Sequence, residues 1–476
     1  MPSYEPLSVP DIPELATLSH VFVANVGGAG MSAVATLLAE RGHQVSGHDP
    51  ATTTPFVAQL EALGVAVQTG PAPAVLPDAV DAVVVSTATP DDAPEVVGAQ
   101  GRGIPVFHRK QALAALCADR QTIAVAGTHG KTTTSAMLAT VLVAVGVEPG
   151  WVVGAPIPGL GRSAAWGRGG PLVVEADESD GTFLALPAAV ALVTNVEPDH
   201  LEHYGDFSTL VNAFEQYLES ANGPRLVGGD DDRARELGHA VGAHTVGEEA
   251  TSELRMVDVR PEGGGIHFGL ARAGTIVADV DLPVPGRHNA RNAALALAAA
   301  EAVGVPLADG AKALAGYVGV GRRFEPRGTV RGATLVDDYA HLPTEVRAAL
   351  DAGRSGGWKR VVCVFQPHRY SRTQAVGREF ADAFGDADLL AITDVYAAGE
   401  PPRPGVTGKL VVDAVLEAHP WKSVAYLPHL DDVVRWLQAT LRPGDLCLTL
   451  GAGDLTTVPS RLVAELGDVA DDEGAP

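Results

Sequence analysis

Short apolar runs rich in valine, isoleucine and leucine recur along this chain, separated by glycine turns and by alanine- and leucine-rich stretches at helical spacing. The stretch HVFVANVGGAGMSAVATLLAERGHQVSGHD, residues 20–49, reads as strand, glycine turn, helix and strand. AVDAVVVSTA (79–88) reads as a buried strand, and GIPVFHRKQALAAL (103–116) as a short strand entering a helix. The breaker-rich CADRQT then marks a boundary near residue 119.

The same rhythm restarts in QTIAVAGTHGKTTTSAMLATVLVAVG, GPLVVEADESD and AVALVTNVEPDH. Near-continuous apolar strands of this kind belong to parallel sheets buried on both faces. Between 251 and 284 the texture changes to short alternating runs, which predicts a small antiparallel insert. GRHNARNAALALAAAEAVG predicts a helix ending at Gly304, and after VGVGRRFEPRG a third alternation begins with ATLVDDYA, KRVVCVFQP, ADLLAITDVY and DLCLTLGAGD. The expected fold is therefore α/β in three domains: a Rossmann-like domain over 1–118, a phosphate-loop α/β domain with the insert over 119–320, and a second Rossmann-like domain over 321–476. The acidic tail GDVADDEGAP is expected to fray.

A length of 476 residues, 46% hydrophobic and 19% charged, suits several well-buried domains rather than a disordered chain. The net charge of −24 argues against a nucleic-acid partner, which would call for a surplus of Lys and Arg. Cys117, Cys363 and Cys447 lie far apart, and the last two sit in strand-like runs, so core thiols in a reduced compartment are expected. The first twenty residues lack the basic start and apolar centre of a signal peptide, and no stretch suits a membrane helix. These features lead us to expect a soluble, cytoplasmic protein, not inserted in a membrane, that is monomeric or weakly self-associating.

The chemistry concentrates at AGTHGKTTT, residues 126–134. In the commonest phosphate loop a glycine stands five positions before the Gly-Lys pair; here that position is Val125, and the first glycine is Gly127. Gly127 and Gly130 allow backbone N–H groups to turn inward, and a helix starting near Lys131 adds its positive end. Lys131 suits terminal phosphates and the Thr132 hydroxyl suits magnesium. An ordinary strand–turn–helix junction is the alternative. Two acidic clusters, EADESD (175–180) and NVEPDH (195–200), end the next two strands. In a doubly wound sheet such strand ends gather at one crevice, so Glu175 and His200 come within reach of a metal at the phosphate. Histidine is an unusual magnesium ligand, which leaves His200 to act through water or on a second ion.

GTHGKTTT, EADESD, TNVEPDH, GRHNARNA, GRRFE, DDYAH and FQPHRYSRT occur in this order over nearly the whole chain, which resembles the ATP-dependent Mur ligases of peptidoglycan synthesis. In that family the shortened loop is the rule. The resemblance implies ATP and Mg2+ as cofactors, and UDP-N-acetylmuramate and L-alanine as the molecules to be joined. It implies that Gly127, Thr128, His129, Gly130, Lys131, Thr132 and Thr133 form the nucleotide loop, with Thr132, Glu175 and His200 at the metal. Asn289 and Asn292, three apart on one helix face, match asparagines near adenine. Arg323 and Asp338 match residues that contact the nucleotide, and Lys131, Glu175, His200, Arg323 and Asp338 are the catalytic candidates.

Tyr339, His341, Arg369 and Arg372 match residues around the amino acid, and His129 a histidine facing the muramate. Leu342 departs from the family, which often carries a second histidine there. Some sibling ligases use a carbamylated lysine, but no lysine lies between Lys131 and Lys312, which favours the alanine-adding branch.

Gly28, Gly30 and Ala33, with Asp49 downstream, also fit a dinucleotide pattern, and a dehydrogenase is the corresponding rival. The same geometry serves any pyrophosphate, including that of a UDP-sugar, and Asp49 is either a uridine or ribose contact or a strand-end residue. A peptide-adding sibling ligase and a plain ATPase are the other rivals.

Overall fold

The computed structural model describes residues 14–52, 54 and 56–466. The residues before 14 and the acidic tail from 467 lie outside the described residues. The chain gathers into two compact units. One runs through Asp258 and adds Phe268–Val280 and Arg291–Tyr317; the other comprises Val259–His267, Asp281–Ala290 and everything from Val318.

Five parallel strands make the first sheet, in the order Ala66–Thr69, Gln44–Asp49, His20–Ala24, Ala82–Val85, Val106–His108. The chain builds outward from His20–Ala24 on one side and then returns to the other, so the switch point falls beside that central strand. The glycine turn at 25–28 leaves from its carboxyl end into the helix Ala29–Arg41, which stops at Gly42 in the left-handed conformation, φ +106°. The strand expected over 79–88 is shorter than its apolar run, covering Ala82–Val85.

The second sheet has ten strands. At its centre Thr122–Ala126 lies between Leu172–Glu175 and Val190–Val193, all parallel, with Val125 opposite Glu175 and Ala126 opposite Val193. That register alone brings the loop at 127–130 and both acidic clusters to one edge. The alternating stretch forms Leu254–Glu262, Gly265–Arg272 and Thr275–Leu282, joined by two-residue turns at Gly263–Gly264 and Ala273–Gly274 with both residues at positive φ, the geometry of tight hairpins. These hairpins do not stand apart as a separate insert. Leu254–Glu262 pairs in parallel with His244–Gly247, so they continue the sheet.

In the third sheet the order is Glu325–Val330, Ala333–Asp338, Asp445–Leu450, Arg360–Phe365, Leu389–Ile392, Val424–Tyr426, with only the first strand antiparallel. Val361, Cys363 and Phe365 enter one core layer, and Val362 and Val364 the other, the period-two alternation of a strand covered on both faces. Asp338, Leu450, Phe365 and Ile392 are mutually in register, so the segments after them share an edge. All three cysteines are free and buried; burial pushes the Cys117 and Cys447 thiols up to about 12. Among the described residues no helix is long and apolar enough to cross a membrane.

Candidate functional site

The loop after Thr122–Ala126 is fixed before any side chain reaches for a ligand. Gly127 has φ +126°, and a Cβ there would overlap the Thr194 hydroxyl; Gly130 has φ +79°, and its Cβ would stand 2.5 Å from Asn292 Oδ1. Only glycine meets both the backbone angle and the space. Thr128 N–H donates to Asn195 O at 3.1 Å and His129 N–H to Asn195 Oδ1 at 2.8 Å. The His129 carbonyl accepts from Thr194 Oγ1 and from Asn195 Nδ2. Thr128 Oγ1 accepts from Glu197 N–H at 2.9 Å, and the His129 ring meets Glu197 at 3.2 Å. The second acidic cluster therefore acts first as the frame of the loop.

The helix Lys131–Ala144 begins at once, with Gly130 at its N-cap. Lys131 Nζ donates to Gly127 O at 2.7 Å, Thr128 O at 3.2 Å and Glu178 Oε1 at 2.9 Å. Burial works against the lysine's charge, but Glu178, Asp177 and Glu175 outweigh it and hold Lys131 above its ordinary range. Burial likewise pushes Glu178 up, and Lys131 opposes it. Thr132 Oγ1 donates to Glu175 Oε1 at 2.8 Å, and Glu175 Oε2 accepts from Gly154 N–H. Thr132 and Glu175 thus bring hard oxygens together at a helix start, a donor set that fits a magnesium ion. His200, in the left-handed region at φ 54°, pairs with Asp199 at 3.3 Å. Thr133, on the first helical turn, is buried.

Asn289 and Asn292 lie on the helix Arg287–Ala302, both buried. Asn292 stands against Gly130, whereas Asn289 Nδ2 donates to Pro285 O at 2.6 Å. At the first glycine turn Gly28 is the N-cap, and Asp49 accepts from Gly27 N–H at 2.8 Å and from Ala51 N–H at 2.9 Å. Asp49 closes the strand Gln44–Asp49 with both carboxylate oxygens on backbone amides of the neighbouring turns.

In the third segment, planar cations stack around Tyr339. The guanidinium carbons of Arg322 and Arg323 lie 4.8 and 5.0 Å from its ring centre. Arg323 approaches Glu345 at 3.7 Å, and the same carboxylate accepts the His341 and Leu342 amides. Asp338 accepts from Phe324 N–H at 2.7 Å and Ala340 N–H at 2.8 Å; burial pushes its carboxyl up to about 6, against the pull of Arg323 and those amides. His341 packs edge-on to Tyr339 and His368, and His368 stacks on Tyr396. Burial and the neighbouring His341, Arg372 and Arg369 lower His368 to about 3, so the ring is neutral and its Nδ1 accepts from Arg372 at 3.1 Å. Arg369 caps the helix Tyr370–Val376 in an unusual backbone conformation, φ 67°, fixed by its N–H to Tyr396 O at 2.8 Å. Leu342 is buried at the start of the helix Pro343–Ser355.

Three family profiles match this chain: the Mur ligase family catalytic domain over residues 22–121, the Mur ligase middle domain over 171–300, and the Mur ligase glutamate ligase domain over 322–453. A UDP-N-acetylmuramate–L-alanine ligase of Kineococcus radiotolerans is 45% identical, covering 93% of this chain and 95% of its own. This chain belongs to the Mur ligase family. A second such ligase, from Thermobifida fusca, is 40% identical over 95% of this chain and 98% of its own. Among solved structures, the UDP-N-acetylmuramate–alanine ligase of Thermotoga maritima superposes with a TM-score of 0.78 at 28% identity, over 94% of this chain and 98% of that one. The Mur ligase fold, with its parallel sheets, is accordingly the fold of this chain.

Sequence reasoning missed several residues that this Mur ligase uses to build its edges. Glu178 was one of four acids in EADESD, Asn195, Glu197 and Arg322 lay within quoted motifs without a role, and Glu345 carried no motif at all. The spacing of Glu345, three residues into the helix after Leu342, is a capping pattern and was the one available signal.

Proposed function

We propose that this chain is an ATP-dependent ligase joining L-alanine to the lactyl carboxylate of UDP-N-acetylmuramate. A carboxylate does not form an amide at neutral pH until its oxygen becomes a leaving group. The carboxylate would attack the γ-phosphorus of ATP, releasing ADP and leaving an acyl phosphate. The alanine amine would then displace phosphate, losing a proton as the amide forms.

The observation that carries this reading is the loop itself, with Lys131 and Thr132 at a helix start and acidic partners from the next strand. Lys131 would bind the terminal phosphates, and the positive end of the helix that it starts would orient them. Thr132, Glu175 and His200 would hold Mg2+ as the family likeness implies, and the ion when bound offsets charge on the phosphates. Residues 1–118 are assigned to the UDP-sugar, 119–320 to ATP and 321–476 to the amino acid. Arg323, Asp338, Asn289 and Asn292 take the nucleotide roles implied by the family likeness. Arg369 and Arg372 suit the alanine carboxylate, since a planar fork matches it better than an ammonium does.

The test is phosphate release with ATP, UDP-N-acetylmuramate and L-alanine, leaving out one at a time. Release should require all three. Equal ATP consumption without the sugar nucleotide and the amino acid would leave only an ATPase.

A further inference from the structure

Arg109 begins the helix Arg109–Ala118, at the carboxyl end of the strand Val106–His108 in the first sheet. Its side chain lies across the glycine turn. A Cβ on Gly30 would overlap Arg109 Nη1 and stand 3.3 and 3.4 Å from its Cδ and Cζ. Gly30 does not have a positive φ, so what the glycine provides here is room for the guanidinium. The other amine, Nη2, donates to Asp180 Oδ2 at 2.9 Å, with both side chains only partly exposed. Asp180 is fixed in turn by accepting Thr182 N–H at 3.0 Å. One fork thus faces two ways: Nη2 is committed to the acidic turn, while Nη1 projects over the helix start where Gly28 and Gly30 lie.

We propose that Arg109 is an anion-binding residue of the first segment, presenting Nη1 to the diphosphate of the sugar nucleotide, and that Asp180 is the positioning residue that aims it. This rests on reading the glycine turn as the sugar-nucleotide site. The chemistry follows from the donor geometry. A guanidinium holds a carboxylate with one edge and retains donors for a phosphate on another, which a lysine ammonium cannot do with a fixed orientation. The same acidic turn carries Glu178, which holds Lys131, so the first glycine turn and the phosphate loop are tied to one short segment of chain.

Calorimetry with UDP, uridine and ADP on the full chain tests this. Arg109→Ala should weaken UDP on the order of 10- to 100-fold, the loss of charge-assisted hydrogen bonds, and leave uridine and ADP unchanged. Arg109→Lys should recover only part of the loss. Asp180→Asn should weaken UDP by about threefold without touching uridine, and Gly30→Ala, which crowds the guanidinium, should weaken UDP as well. The salt dependence of UDP binding should flatten in Arg109→Ala. UDP binding that survives Arg109→Ala intact overturns this inference alone, as does an equal loss for UDP and uridine. Failure of the unaltered chain to bind UDP at all overturns the reading of the glycine turn and takes this inference with it.

Discussion

The loop at 127–132 and the cationic cluster around Tyr339 both concentrate charge at the carboxyl edge of a parallel sheet, but they hold it in different ways. In the loop, the position of every group follows from backbone: two glycines at positive φ, paired amides, and a partly buried lysine with three acceptors. Around Tyr339 the charges rest on a ring face and on one shared carboxylate, with Arg322 and Arg323 still partly exposed. The first arrangement admits almost no alternative geometry. The second can be adjusted side chain by side chain. Damage to the loop should therefore be all-or-none, and damage to the cluster graded.

The largest effect belongs to Lys131→Ala, which should lower kcat on the order of 10³-fold if the lysine supplies about 4 kcal/mol in the transition state. Steady-state turnover near that of the unaltered chain would remove Lys131 from the chemistry. Next comes Gly130→Ala, where a methyl must displace Asn292 and strain the backbone; a loss on the order of 10²-fold in kcat/KM is expected from misplaced phosphates. If the activity of that variant falls less than threefold, the claim that the loop admits no alternative fails.

Arg369→Ala should chiefly raise the KM for alanine, by about tenfold, with kcat little changed, as for loss of binding common to ground and transition states. An alanine KM that stays put separates Arg369 from the amino acid. The smallest effect is the sharpest probe of the contrast: Tyr339→Phe keeps the ring and should be close to neutral, whereas Tyr339→Ala should cost about 0.5–1 kcal/mol in all, a few-fold in kcat/KM. Equal losses in the two variants would show that the hydroxyl, not the stacking face, matters.

The same contrast governs what could be read from sequence. The loop was legible because glycine spacing and an apolar strand state a backbone conformation directly. EADESD was legible only as a group. Its four acids take four separate jobs: Glu175 meets Thr132, Asp177 accepts from Ser179 N–H, Glu178 turns onto Lys131 and Asp180 onto Arg109. Nothing in their chemistry distinguishes them before the chain folds. The stacking of Arg322 on Tyr339 brings residues together through the hydrogen bond from Tyr339 N–H to Arg322 O, a pairing that no local pattern announces. The hairpins over 254–282 were recognised by their alternation, yet their attachment to the central sheet depends on the His244–Gly247 pairing, which is a tertiary fact. That Asp49 accepts the Gly27 and Ala51 amides is likewise not visible from its position alone.

The strand Thr122–Ala126 takes both its neighbours from later in the chain, and the loop amides at 128 and 129 find their acceptors only at Asn195. A polypeptide leaving the ribosome amino end first thus carries the full AGTHGKTTT stretch for some time as an unformed ribbon. The acceptors that fix this loop do not exist until the chain has been made as far as Asn195, so its conformation depends on sequence more than sixty residues downstream.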